Sequence, residues 1–181
     1  MYLTSHLGAV SLRPIRPDDA GRLVHFHQQL SADSVYRRFF SVHPTLSAAE
    51  VERFTCVDHL DREALVAEDG DRLVAVGRYD RGPAGSEAEV AFVVADEYQH
   101  QGIATALLDA LADDARRAGI ERFVASVLAE NRAMLDVFRH SGFPISTAHE
   151  DGVVTVCLQL TEHHPRHGSP VLSPETGPPC P

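Results

Sequence analysis

This sequence contains no lysine and no tryptophan, and Asn131 is its only asparagine. All sixteen basic side chains are therefore arginine, set against 26 acidic ones for a net charge of −10. So acidic a chain is poorly suited to nucleic acid, whose phosphates call for positive charge, and better suited to cationic partners such as amines. No run of eighteen apolar residues occurs, so no membrane-spanning helix is expected. The first thirty residues lack a basic start followed by an apolar block, so no secretory signal is read. The three cysteines, Cys56, Cys157 and Cys180, are odd in number and far apart. That is neither a disulfide framework nor a zinc pattern, and it suits a reducing cytoplasm.

What remains is the balance of an ordinary globular domain, 44% hydrophobic and 23% charged. A core of this size buries roughly two thirds of the unfolded chain's surface and needs no disulfide or metal staple. The end of the chain is different. Residues 162–181 hold six of the eleven prolines, and their only large aliphatics are Val171 and Leu172. Burial there cannot offset the entropy of ordering, so the expected division is a folded unit over 1–161 and a disordered tail over 162–181. His163, His164 and His167 lie in that tail without partner ligands at helical or strand spacing, and no metal site is read from them.

Periodicity and punctuation give the elements. A strand is expected over 9–13, a helix opening at Pro17-Asp18-Asp19, and a short helix over 34–40. A third helix starts at Ser47, where Glu50 completes a capping box. Strands over 63–68 and 72–79 flank the turn Asp69-Gly70-Asp71, and another spans 87–95. A helix over 103–118 is apolar at Ile103, Leu107, Leu111 and Ala115 and stops at Gly119. A strand over 122–128, a helix over 131–140 and two strands around Asp151-Gly152 complete a mixed α/β pattern.

The chemistry concentrates between Glu87 and Phe143. A strand ends at Val94, a short loop follows, and Gln99-His100-Gln101-Gly102-Ile103-Ala104 opens a helix. The first turn of a helix leaves backbone N–H groups without intrahelical partners, and the helix dipole adds positive potential there. Gly102 and Ala104 keep side chains out of the way, so a pyrophosphate can approach the backbone without any lysine. The segment is not a dinucleotide fingerprint, having one glycine of that pattern, nor a P-loop, lacking Gly-Lys-Ser/Thr.

Gln99-x-x-Gly102-x-Ala104 behind a strand resembles the acyl-CoA loop of GNAT-superfamily N-acetyltransferases. Asn131-Arg132-Ala133-Met134, then Phe138, then Ser141-Gly142-Phe143 resembles the family's Asn-started helix ending in Gly-Phe. Arg13-Pro14-Ile15-Arg16-Pro17-Asp18-Asp19 is similar to the family's entry into its first helix. These motifs cover roughly residues 9–160. A narrower resemblance, to the GNAT domain of bacterial protein-lysine acetyltransferases, lies in Ser34-Val35-Tyr36-Arg37-Arg38-Phe39-Phe40, Val57-Asp58, Ala64-Leu65-Val66-Ala67 and Ala88-Glu89-Val90-Ala91-Phe92-Val93-Val94. Those enzymes modify acyl-CoA synthetases and similar metabolic proteins.

The resemblance implies a GNAT fold of class α/β (α+β), a mixed, mostly antiparallel central sheet flanked by helices. It implies acetyl-CoA as co-substrate, no metal, and an acceptor protein such as an acyl-CoA synthetase, with neither nucleic acid nor membrane as partner. Phe92, Val93 and Val94 would offer backbone to the pantetheine arm as an added strand does. Gln99, His100, Gln101, Gly102, Ile103 and Ala104 would hold the pyrophosphate. Asn131 would sit near the pantetheine or the thioester, with simple helix capping as the equal alternative. Glu89 matches the glutamate general base; the plain alternative is a solvent-facing strand carboxylate. Many members carry a tyrosine as general acid four residues before the Gly-Phe pair, where this chain has Phe138, which has no proton to give. Tyr98 reads as a packing residue rather than a substitute, and His25, His27 and His59 fall toward the acceptor side. Two other functions stay open at this point: acetylation of a small amine or antibiotic, and acyl-CoA binding without catalysis.

Overall fold

The computed structural model describes residues 2–5 and 8–160, with side chains from Val10 onward. The segment 162–181, with its three histidines and Cys180, lies outside the described residues. Eight strands form one sheet in the order β1-β2-β3-β4-β5-β6-β8-β7. They are β1 Tyr2–Ser5, β2 Gly8–Pro14, β3 Arg62–Asp69, β4 Arg72–Arg81, β5 Glu87–Val94, β6 Arg122–Leu128, β7 Ile145–Glu150 and β8 Val153–Gln159. Every neighbouring pair is antiparallel except β5 with β6. The helices are α1 Ala20–Gln29, α2 Ala32–Phe39, α3 Ala48–Thr55, α4 Ile103–Arg117 and α5 Arg132–Arg139. The mixed, mostly antiparallel sheet and its flanking helices are those the sequence led us to expect, with β1 added.

Local chemistry explains the boundaries. Ser47 accepts from the Glu50 N–H and Glu50 returns the bond to the Ser47 backbone, the capping box read from the sequence. Gly119 ends α4 at φ 77°, and Asp151 and Gly152 turn β7 into β8 at φ 47° and 79°. The expected first helix begins instead as a 3-10 turn over Pro17–Asp19, and α1 follows from Ala20. The reason is Asp19, which is 3% exposed. Its carboxylate takes a bidentate pair from Arg13 (2.6 and 2.7 Å), the Arg16 N–H (2.9 Å) and Arg22 (3.1 Å). The Arg13 guanidinium holds the Asp19 carboxyl below its usual range despite burial.

The core lies on both faces of the sheet. Leu107, Leu108, Leu111 and Ala115 of α4 are fully buried against β3, β4 and β5. On the opposite face α1, α2 and α3 cover Val76, Ala91 and Val93. Gly77 in β4 allows the close approach of Phe92. A Cβ there would meet that ring at 2.8 and 3.0 Å and Leu111 at 3.2 Å.

Two outcomes are expected. Gly77→Ala should overpack this contact and destabilise the fold by about 1–3 kcal/mol in urea titration; an unchanged midpoint would show that Phe92 moves freely. Asp19→Asn should cost about 1–3 kcal/mol near neutral pH, because it removes the bidentate charge pair with Arg13, which then keeps only Glu68 at 3.0 Å. A lowered carboxyl pKa contributes stability above the unfolded value of about 3.9 and loses it as pH falls toward the folded value. The gap between wild type and variant should therefore close below about pH 4, and a gap constant down to pH 2 would contradict the assignment.

Candidate active site

The β5–β6 ladder pairs only Glu87 with Arg122, Ala88 with Phe123 and Glu89 with Val124. Beyond Glu89 the two parallel strands separate. Val90 to Val94 stay paired with β4 alone, and Ala125 to Leu128 with β8 alone. The gap is a cleft of about 350 Å³, within the range of small-molecule sites. Phe92, Val93 and Val94 form one wall and Ala125, Ser126 and Val127 the other. Phe92 and Phe138 of α5 meet at the cleft with ring centroids 6.1 Å apart.

At the open end lies the start of α4. His100 and Gly102 both take left-handed backbone, φ 60° and 80°. The first backbone bond of the helix runs from the Ala106 N–H to the Gly102 carbonyl at 3.0 Å, so the N–H groups of Ile103, Ala104 and Thr105 precede the helical ladder. A Cβ built on Gly102 meets nothing within 4 Å, so the space above this turn is open. An anion is the chemistry such a turn accepts.

The loop before it is fixed by side chains. Tyr98 is buried and its hydroxyl donates to Asp69 at 2.8 Å, a packing role. Gln99 donates to the Val94 carbonyl and to Ser34 Oγ, both at 3.2 Å. Asp96 accepts from the Ser31 N–H (3.0 Å), Ser31 Oγ (2.8 Å) and Ser34 Oγ (2.8 Å). Burial alone would raise the Asp96 carboxyl, but these donors outweigh it and hold it low. The loop is thereby tied to the N-terminal turn of α2.

The residues expected from the sequence divide accordingly. Phe92, Val93, Val94, Gln99, His100, Gly102, Ile103, Ala104 and Asn131 all line the cleft. The Gln99 amide is engaged in holding the loop, so the donors this turn offers are its backbone N–H groups. Gln101 is not part of the cleft wall; its side chain donates back to the Glu97 carbonyl at 2.9 Å. Asn131 caps α5 through Oδ1, which accepts from the Met134 N–H at 3.3 Å, while also facing the cleft. Glu89 stands outside the walls proper. It is exposed and, among the described residues, makes no hydrogen bond or ion pair, whereas Glu87 is paired with Arg122 at 2.9 Å. Asp80 is its cross-strand partner on β4. His25 bonds Gln29, and His59 pairs with Glu63 at 2.9 Å.

Sequence reasoning gave the side chains of α2 no place in the site. Arg37 and Arg38 both line the cleft. Arg38 also lines a second, smaller cavity of about 40 Å³, with His27, Arg78, Phe39, Phe54, Ala91 and Val93. Burial pushes the Arg38 guanidinium down to about 10, helped by Arg78 and opposed by Glu89 and Asp80. It stays cationic at neutral pH. The alternation of Glu89, Ala91 and Val93 on one strand face was the available signal; α2 crosses that face.

Known proteins share this arrangement. The model of the Acetyltransferase (GNAT) family matches residues 30–143. Acetyltransferase Pat of Mycolicibacterium smegmatis is 37% identical over 134 residues, covering 72% of this chain and 40% of that protein. Acetyltransferase PA5475 of Pseudomonas aeruginosa is 33% identical over 138 residues, covering 74% of each. The crystal structure of the GNAT domain of S. lividans PAT superposes with a TM-score of 0.81 at 43% identity, covering 88% of this chain and 96% of that one. This chain thus spans less than half the length of M. smegmatis Pat, and the shared part contains the splayed strands and the turn into α4. The chain belongs to the GNAT acetyltransferase family.

Proposed function

We propose that this protein transfers the acetyl group of acetyl-CoA to an amine, with a protein lysine ε-amine as the acceptor. The observation that carries the reading is the divergence of β5 from β6 directly beside the start of α4. An unpaired strand edge offers N–H and C=O groups to an extended amide-bearing arm. The turn at His100 to Ala104 offers backbone N–H groups to a pyrophosphate. Phe92, Val93 and Val94 serve the first, Gly102, Ile103 and Ala104 the second, and Asn131 lines the cleft just past the carboxyl end of β6.

A lysine ammonium has a reference pKa near 10.4, so deprotonating it at pH 7 costs about 4.6 kcal/mol. A base within reach of the amine, directly or through one water, offsets that cost. Glu89 is the fitting carboxylate. It lies where the ladder ends, shares a strand face with Ala91 and Val93, and its oxygens are free, whereas those of Glu87 are engaged by Arg122. The amine attacks the thioester carbon and Glu89 takes the proton. The thiolate leaves without a tyrosine acid, which its modest basicity allows, about 8.5 for a cysteine-like thiol. The resemblance to protein-lysine acetyltransferases across α2, β3 and β5 favours a protein acceptor over a small amine, and the described residues contain everything this reading uses.

The test is acetyl-CoA turnover against small amines, lysine peptides and an acyl-CoA synthetase. The chain has no lysine of its own, so acetyl-lysine in the mixture reports only the acceptor. Turnover confined to small amines would reject the protein acceptor and keep the transferase. Gly102→Glu should abolish acetyl-CoA binding by calorimetry while the fold persists, since it sets a negative charge and a strained φ at the anion turn. Glu89→Gln should leave acetyl-CoA affinity unchanged and lower turnover about 10²–10⁴-fold near neutral pH. Part of that loss should return at high pH, where more amine is already neutral; a pH–rate profile identical to wild type would remove Glu89 from the role.

A further inference from the structure

Helix α2 has a direction that matters. Its first turn is held at the α4 end of the cleft, where Ser34 bonds Asp96 and Gln99. Arg38 lies four residues further, on the same helix face and about 6 Å along the axis. From there it lines the cleft and the smaller cavity at once, over Ala91 and Val93, with Glu89 and Asp80 close enough to act on its charge. It therefore stands at the Glu89 end and not at the anion turn.

Its surroundings are uncommon for a guanidinium. The Phe39 ring lies 5.0 Å from its Cζ, and among the described residues it has neither a hydrogen bond nor a carboxylate within 4 Å. Its neighbour Arg78 is 5% exposed and has an unpartnered Nη2. Arg38 itself is partly buried, and a cation that borders the cleft without a carboxylate partner acts on negative charge that appears beside it.

We propose that Arg38 is a catalytic residue that binds the thioester carbonyl oxygen and stabilises the negative charge that forms on it. The proposal rests on the transferase reading above. As the amine lone pair adds to the carbonyl carbon, the C=O π pair moves to oxygen and Arg38 receives that charge as a hydrogen-bond donor. When the pair returns, the C–S bond breaks and the thiolate carries the electrons away, while Glu89 holds the proton from nitrogen. Arg38 gives up no proton. The same cation favours the neutral form of an approaching amine, which is the nucleophile.

The test uses acetyl-CoA labelled with ¹³C at the thioester carbonyl. Its infrared stretch should move to lower frequency on binding to the wild-type protein, and Arg38→Ala should abolish most of that displacement while CoA affinity by calorimetry changes less than threefold. Arg38→Gln, which keeps a donor but no charge, should give an intermediate displacement. Turnover should fall about 10²–10³-fold in Arg38→Ala, and millimolar guanidinium should restore part of both turnover and displacement. If acetyl-CoA does not bind the wild-type protein, the transferase reading fails and takes this proposal with it. If it binds and the carbonyl frequency is the same in wild type and Arg38→Ala, Arg38 does not touch the carbonyl. A more than tenfold loss of CoA affinity with the displacement intact would assign Arg38 to the phosphates and overturn the proposal.

Discussion

The molecule is organised around the place where a ladder stops. Among the described residues β5 and β6 are the only parallel neighbours in the sheet, and they share three residue pairs ending at Glu89 and Val124. A parallel pair needs a crossover, and here the crossover is the loop 95–102 with α4. That connection places the helix N-terminus at the carboxyl end of β5, where the gap is widest. The unpaired strand edge, the anion turn and the cleft between them are consequences of one topological choice. The core defends it: α4 buries Leu107, Leu108 and Leu111 against β3 and β4, and Gly77 lets Phe92 sit close beneath the helix.

The opposite face carries Glu89 and is crossed by α2, and its geometry depends on a second constraint. α2 is short, and eight-residue helices are marginal on propensity alone. Asp96 binds the first turn of that helix through Ser31 and Ser34, and the Gln99 amide joins Ser34 to the end of β5. The segment that shapes the anion turn and the helix that carries Arg37 and Arg38 are thus held as one piece. A disturbance at Asp96 would reach both ends of the cleft. The overall charge of −10 is distributed so that the cleft itself is flanked by arginine on α2, while Glu89 is exposed beyond it and Asp80 beside it is held by Arg78 and Arg53.

What could be read from the sequence was local or periodic. The Ser47–Glu50 box, the stop at Gly119, the turn at Asp151-Gly152 and the Asn131 cap each depend on residues within four positions of one another, and the structure has all of them. The α4 stripe was legible because fifteen residues suffice for a 3.6 period to show. β1 was not, being four residues long. The contacts that distinguish Glu89 from Glu87 were also hidden. Arg122 lies 35 positions from Glu87, and nothing in the β5 alternation reveals which carboxylate it engages. The Asp96 tether to Ser31 and Ser34 and the placement of Arg38 over β5 are likewise products of tertiary packing. Gln99 shows the limit of motif reading: its position in the loop was legible, but its amide holds the loop together and does not face outward as a free donor.

The absence of lysine bears on chemistry as well as composition. A site that strips a proton from an ammonium and presents a thioester to it will do the same to any lysine of its own within reach. Cationic groups beside such a site need a side chain that binds anions without becoming a nucleophile. Guanidinium meets both demands, since its reference pKa exceeds about 12 and its lone pairs are delocalised. Even with burial and Arg78 pressing Arg38 down to about 10, the group keeps its proton at neutral pH. An ammonium in the same cavity would be shifted by the same burial from a lower starting value, about 10.4, and would enter the range where it competes with the acceptor for the acetyl group. Arg37 and Arg38 can therefore border the cleft permanently, and in the proposed reaction the only side-chain amine beside Glu89 is the one an acceptor brings.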